Sequence, residues 1–443
     1  LEAFSAGTIQ LGAANTYAGR TNIGRSTFEV SVLANAGTAS SLGTGSQVST
    51  IDMNDTNSTN ATVSTLRYVG TADAVTDRAI RMYTDGQTMP SLAGVLENNG
   101  TGSVKFTSAF TAAGSTTLAR TFRLSGTNTG ANEIVSMTDG PSSTVTLDKA
   151  GVGRWTLTGN STYTGGTTVS AGTLQLGNGG TAGMVGGGDV AISSGAKLVT
   201  NRSDSFSINN NITGAGSVIV GNASGGAATL TSNANTYSGG TTVNSGTLVF
   251  TNVSGSATGS GTVTVTSSAT LAGTGRIAPA AGNPVLVQGT LSVGQTSGTV
   301  ADMEITTSGA GTLFMDTTSV LLLDLVSGAG SGTLNASTAA DMLVLGGTMT
   351  LNSGSTLRVQ NLNGLSDWAV GDAWKLIDWN TLSGTASGTF TTLDLPVLGG
   401  GLQWDSSALY STGVLSVIAV PEPSRLWVLA AGLSAVLIRR RRC

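Results

Sequence analysis

Short runs in which Val, Ile, Leu or Phe alternate with Thr, Ser, Asn or Gln recur along most of this chain, separated by glycine. In GGTTVSAGTLQL at 165–176 the apolar positions are Val169, Leu174 and Leu176. In GGTTVNSGTLVF at 239–250 they are Val243, Leu248 and Phe250, and in GRTNIGRSTFEV at 19–30 they are Ile23, Phe28 and Val30. Alternate side chains of a strand face opposite sides, so each apolar set can share one interior. Gly172 and Gly246 fall between paired short strands, where a turn with positive φ suits glycine. The pattern predicts many short strands and no long amphipathic helix before residue 420.

The three segments are copies of one another. Each is preceded by Thr-Tyr-x-Gly, with the tyrosines at Tyr17, Tyr163 and Tyr237. These lie 146 and 74 residues apart. A second register agrees, because GDVAISSGAKL at 188–198 aligns with GTVTVTSSATL at 261–271, an offset of 73. A unit of this length is too long for one turn of a solenoid. Three stacked coils of about 25 residues would fit it, with Tyr163 and Tyr237 at equivalent positions in the stack.

These residues carry a family resemblance. VTLDKAGVGRWTLTGNSTYTGGTTVSAGTLQLG at 145–177 and ATLTSNANTYSGGTTVNSGTLVF at 228–250 resemble the autotransporter-associated β-strand repeat of bacterial passenger-type proteins. LSGTNTGANEIVSMTDG at 124–140 is similar to the stretch that often precedes such a repeat. The resemblance covers about half of the chain, and 31–120 match poorly. It implies a right-handed parallel β-helix; the alternation alone supports stacked strands.

From residue 284 the strands become less regular, and Trp368, Trp374, Trp379 and Trp404 cluster. This segment is read as a cap, since an open last coil would offer unpaired strand edges. Residues 420–443 read VPEPSRLWVLAAGLSAVLIRRRRC. Pro421 and Pro423 break the strand pattern, residues 426–438 hold no charge, and Arg439, Arg440, Arg441 and Arg442 follow. Thirteen helical residues extend roughly 20 Å against a hydrocarbon core of about 30 Å, a gap that snorkelling arginines narrow. The tail resembles the PEP-CTERM sorting signal. That resemblance implies export, recognition by an exosortase-type membrane peptidase at Pro421, Glu422 and Pro423, and transient anchoring in the inner membrane with the arginines on the cytoplasmic side. It also implies an association with exopolysaccharide and biofilm, so extracellular polysaccharide is a candidate partner. The expected fold class is all-β: a parallel β-helix (solenoid) over 1–283, a β-rich C-terminal cap over 284–418, and a sorting tail over 419–443 with one C-terminal transmembrane α-helix.

Composition narrows the function. Mean hydropathy of +0.18 and 39% apolar residues argue against a disordered chain despite 64 glycines. Cys443 is the single cysteine and histidine is absent, which removes intrachain disulfides and the commonest general base. Five of the 20 basic residues lie in 424–443, where there is no acid. Residues 1–423 therefore carry 15 bases against 24 acids, and no nucleic-acid partner is expected. Leu1 is not an initiator Met, so the start is read as truncated or processed. No hydrolase, P-loop or zincin motif occurs, and no catalytic residue, cofactor or metal is assigned. Asp367, Asp372 and Asp378 lack the spacing of a calcium loop and are expected to be solvated turn acids. The Tyr17, Tyr163 and Tyr237 set and the tryptophans are expected to pack internally and not to stack on sugars. The reading is a non-enzymatic, exported cell-surface or matrix protein, structural or adhesin-like. The alternative is a β-helix polysaccharide lyase or hydrolase. A self-exporting autotransporter would need a C-terminal barrel of amphipathic strands, a pattern unlike 419–443.

Overall fold

The structure, a computed structural model, describes residues 1–3, 5–54, 62–84, 92–114, 119–223, 225–294, 300–306, 312–325, 339–362, 364–379 and 381–421. Among these residues all regular structure is strand, and every extended sheet but one is parallel. Within the parallel sheets successive strands pair from one coil to the next, which is the connectivity of a solenoid. Residues 422–443, and with them the expected transmembrane helix at 426–438, lie outside the described residues. Among the described residues no helix is long and apolar enough to cross a membrane.

The coil has three faces. The first stacks Thr21–Ile23, Ile51–Asn54, Ile80–Thr84, Phe110–Gly114 and Met137–Thr138. The second stacks nine strands from Gly7–Leu11 to Ile212–Gly214. The third runs from Ala74–Thr76 through Arg154–Leu157 and Thr173–Leu176 to Thr385–Ser387. The first face loses regular pairing around Tyr163, where Thr162 N bonds to Met137 O (2.9 Å) and Gly187 N to Tyr163 O (2.9 Å). It resumes at Ser205–Ile208 and continues to Thr392–Asp394. The second face does the same around Tyr237, where Thr236 N bonds to Ile212 O (2.9 Å) and Ser260 N to Tyr237 O (2.9 Å). It resumes at Arg276–Ile277. Thr241–Phe250 rounds a corner, its register slipping beside Val220 and Gly221, so one long strand belongs to two faces.

The interior is built by register. Phe28, Leu66, Leu96, Leu124 and, beyond Lys149, Val169 and Ile192 stand in one inward line, each paired with the next. All are buried. Phe110 stacks on Phe122 with ring centroids 4.1 Å apart. Each fully buried Leu or Phe contributes about 1.5–3 kcal/mol relative to exposure, and no coil could bury its apolar side alone.

The structure corrects the expected phase of the repeat. Gln175 pairs with Val199, Val199 with Ile219, and Ile219 with Thr242. Thr242, the counterpart of Thr168, therefore stands three coils above Gln175, one face further round than Thr168 itself. The cause is coil length. Arg154 pairs with Thr173 and Ala227 with Thr247, advances of 19 and 20 residues, and Gln175 to Val199 is 24. Coils of this size do not divide 74 into three. Tyr17, Tyr163 and Tyr237 consequently lie on three different faces.

Parallel pairing crosses residue 283 unbroken, from Val263–Val265 to Val285–Val287 and on to Thr312–Met315 and Thr348–Leu351. Within 284–418, besides the isolated antiparallel bridges Leu325–Ala340 and Gly346–Ser383, a three-stranded antiparallel sheet, Ala373–Lys375, Val414–Ala419 and Leu402–Asp405, packs at the end of the stack.

Close backbone approach between coils sets a steric test. A Cβ on Gly188 would stand 2.6 Å from Gly165 O, whereas one on the adjacent Gly187 would meet nothing within 4 Å. Gly188→Ala should lower stability by about 1–3 kcal/mol. Gly187→Ala should be neutral to within about 1 kcal/mol. Paired thermal or denaturant melts check this, and equal melting of the two variants would contradict the close stacking.

Candidate binding surfaces

Outward positions form lines of their own. Gln10, Glu29, Arg67 and Glu97 are register neighbours in four successive strands. Arg67 Nε donates to Glu97 (2.6 Å) and its Nη1 to Glu29 (3.4 Å), while Gln10 Nε2 donates to Glu29 (3.1 Å). On another face Arg81 clamps the buried Asp52 through two bonds of 2.8 Å. Lys105–Glu133, Arg123–Asp148, Arg276–Glu304 and Arg358–Asp394 repeat the device at 2.7–3.0 Å. All four pairs join residues directly opposite in adjacent strands. Exposed pairs add little stability, but like charges in register would be repulsive, so these pairs favour one alignment of the coils. They also neutralise much of the charge that the faces would otherwise present.

The tyrosines are structural. Tyr163 and Tyr237 are fully buried, and each hydroxyl lies 2.6 Å from the hydroxyl of the threonine four residues on, Thr167 or Thr241. Burial pushes the Tyr163 phenol up to about 12 and raises that of Tyr237 further. Tyr17 is half-buried and makes the same contact with Thr21 at 3.2 Å. The local environment of the copies is therefore shared although their faces differ.

Trp368, Trp374 and Trp404 pack on one another with centroids 5.4–5.7 Å apart, and Trp374 is fully buried. Trp404 Nε1 donates to Pro396 O (2.8 Å) and Trp379 Nε1 to Leu409 O (2.9 Å). Trp374 and Trp379 are buried, and Trp368 and Trp404 are half-buried. The expectation for the neighbouring acids needs correction. Asp367 is exposed, but Asp372 and Asp378 are buried. Asp372 accepts from Ala369 N (2.8 Å); Asp378 accepts from Lys375 Nζ (2.8 Å) and from the Thr381 hydroxyl. Each carboxylate is placed by local donors, so burial became affordable without a metal-binding arrangement, and among the described residues no acidic group of three or more could hold a metal ion.

Sequence reasoning passed over the buried cations. Lys149 occupies the inward position after Val145 and Leu147, between Leu124 and Val169. Its side chain is fully buried, and Nζ donates to Ala150 O (2.9 Å), Gly151 O (2.8 Å) and Ala171 O (3.0 Å). It thus ties the corner of its own coil to the corner of the next. Burial brings its ammonium down to about 8, opposed by the charge of Asp148. Arg78 does similar work, donating to Leu42 O (3.0 Å) and Gly43 O (2.7 Å). Arg202 reaches Thr181 O (2.6 Å), pairs with Asp204 and lies 4.4 Å from the Phe206 ring centroid. The signal was available for Lys149, since strict alternation through VTLDK already placed it inside.

Pro421 is exposed at the end of the described chain, after Val420 N bonds to Gly401 O (2.9 Å). Glu422, Pro423, Arg439, Arg440, Arg441 and Arg442 lie outside the described residues.

Residues 2–25, 147–176 and 213–250 match the passenger-associated-transport-repeat family. Each segment holds one Thr-Tyr copy, so the match falls on the coils where the three tyrosines pack. Over 191 residues the chain is 38% identical to the adhesin BmaC autotransporter of Brucella suis biovar 1 (strain 1330). That alignment takes in 43% of this chain and 5% of the length of that relative. The chain is thus similar to a short part of a long adhesin.

Lys149 makes the interior sensitive to pH in one direction. Its folded-state pKa lies below the ordinary 10.5, so between about 8 and 10.5 the unfolded chain binds more protons. Stability gained through this group should rise with pH across that window, by up to about 3 kcal/mol. Lys149→Met should be less stable at pH 7 by about 1–3 kcal/mol, because three carbonyls lose their donor. The deficit relative to wild type should widen from pH 8 to pH 9.5. Urea melts at several pH values check it; a flat difference would place no titration at Lys149.

Proposed function

We propose that this protein is an exported, non-enzymatic surface or matrix component of a bacterium, a rigid solenoid that makes adhesive contacts along its faces. The observation that carries this reading is the coincidence of the three passenger-repeat segments with the tyrosine corners of a continuous parallel stack, buried at Tyr163 and Tyr237 and half-buried at Tyr17. The resemblance to part of an adhesin autotransporter supports the surface location. Physically, stacked coils fix outward groups at a strand spacing of about 4.8 Å along a long axis. Weak contacts repeated at that spacing gain strength by avidity, as a matrix or adhesive protein requires. Extracellular polysaccharide is the partner class we favour.

We further propose that residues 419–443 are a sorting tail. In this reading Pro421, Glu422 and Pro423 are the recognition motif of an exosortase-type peptidase. Residues 426–438 form one helix held in the inner membrane, and Arg439, Arg440, Arg441 and Arg442 keep its end in the cytoplasm. Support comes from the order of the three parts in the sequence and from the exposed, extended approach at Pro421. An arginine at the bilayer centre costs about 2.5–3.5 kcal/mol on the insertion scale, so four in succession oppose passage.

Tagged precursors in a host with an exosortase test the tail. Replacing the four arginines by Ser should release or misinsert precursor without altering the β fold. Glu422→Ala should leave uncleaved precursor in the membrane fraction. Release of wild type and both variants at one identical uncleaved size would refute the sorting reading.

A further inference from the structure

We propose that the outward side of the third face carries a subsite for a neutral glycan, centred on Phe314. This rests on the reading of polysaccharide as the partner class and names where and how contact is made. Alternation along Thr312–Met315 sends Leu313 and Met315 into the core, both fully buried, and turns Phe314 outward. Its register neighbours are Leu286 in the preceding coil and Thr350 in the following one. Phe314 and Leu286 are half-buried, which leaves an apolar floor open to solvent. This floor lies in a cavity of about 230 Å³, whose polar wall is formed by Gln288, Asp316 and Asn352.

The wall has a defined chemistry. Asp316 Oδ1 accepts from Thr317 N at 2.8 Å, which fixes the carboxylate. Gln288 Nε2 and Asn352 Nδ2 approach it from either side at 3.4 and 3.5 Å. Contacts this long are weak, and each amide carries a second N–H besides, so donors remain for a ligand. Those hydrogen bonds, that from Thr317 above all, hold Asp316 below the ordinary carboxylate range, so it is ionised at neutral pH. The site therefore offers one aromatic face, one strong acceptor and two flanking donors. A pyranose presents an apolar C–H face and a rim of hydroxyls that both donate and accept, which matches this set. A uronate or other anionic sugar would meet the Asp316 charge in a cavity that includes no cation.

The test uses the full-length purified chain with neutral hexasaccharides of glucose in three linkages, polygalacturonate, and a random peptide library. Binding is read by isothermal titration and melting temperature by calorimetry. At least one neutral hexasaccharide should bind, and Phe314→Ala should weaken it about tenfold or more. Thr168→Ala, on another face, should leave that affinity unchanged, and the melting temperature should move little in either variant. Neutral-glycan binding that survives Phe314→Ala would overturn this subsite while leaving polysaccharide as the partner class. Polygalacturonate binding as tight as the neutral sugars would overturn the assignment to neutral ligands. Failure of every glycan, or capture of peptides alone at Phe314, would overturn both the subsite and the partner class.

Discussion

Everything in this molecule depends on the parallel backbone ladder between coils. Its spacing of about 4.8 Å decides what each residue has above and below it, and that neighbour is remote in sequence. Under this constraint a side chain is buried or displayed by its register, not by its immediate flanks. The inward line from Phe28 to Leu124 and the outward line from Gln10 to Glu97 are two products of the same ladder. So is the close approach of glycines such as Gly188 to Gly165, where a side chain would force the backbones apart.

Corners are the difficult part of such a fold, because turning the chain leaves carbonyls pointing inward without ladder partners. Here buried cations supply the missing donors. Lys149 serves three carbonyls from two coils, Arg78 serves two, and Arg202 combines a carbonyl with Asp204. Tyrosine corners solve a related problem with the Tyr–Thr hydroxyl pair, which satisfies two buried hydroxyls at once. The price is a set of interior charges whose loss would leave polar backbone unpaired.

Strand content, the inward set and the internal packing of the tyrosines were legible in the sequence, because alternation and repeat spacing are local or self-referential signals. The phase of the repeat was not. It is set by coil lengths that vary from 19 to 24 residues over one unit, and these depend on which turns tighten in three dimensions. Asp372 and Asp378 look like turn acids until their donors, Ala369 N and Lys375, are placed beside them. Phe314 was equally hidden: Leu313, Phe314 and Met315 are three apolar residues in a row, and it is the burial of Leu313 and Met315 in the core that decides which way the ring points.

The misfit between the 74-residue repeat and the coil works like a gear with an offset tooth. Removing one whole copy from the chain would preserve every local motif, yet it would turn all later coils by a third of a revolution relative to the earlier ones. Faces that now run continuously, such as the one bearing Leu286 and Phe314, would then align with a different side of the N-terminal coils. Repeat number in such a molecule therefore sets direction as well as length, and lineages that gain or lose one copy can redirect what the distal end presents without altering a single side chain there.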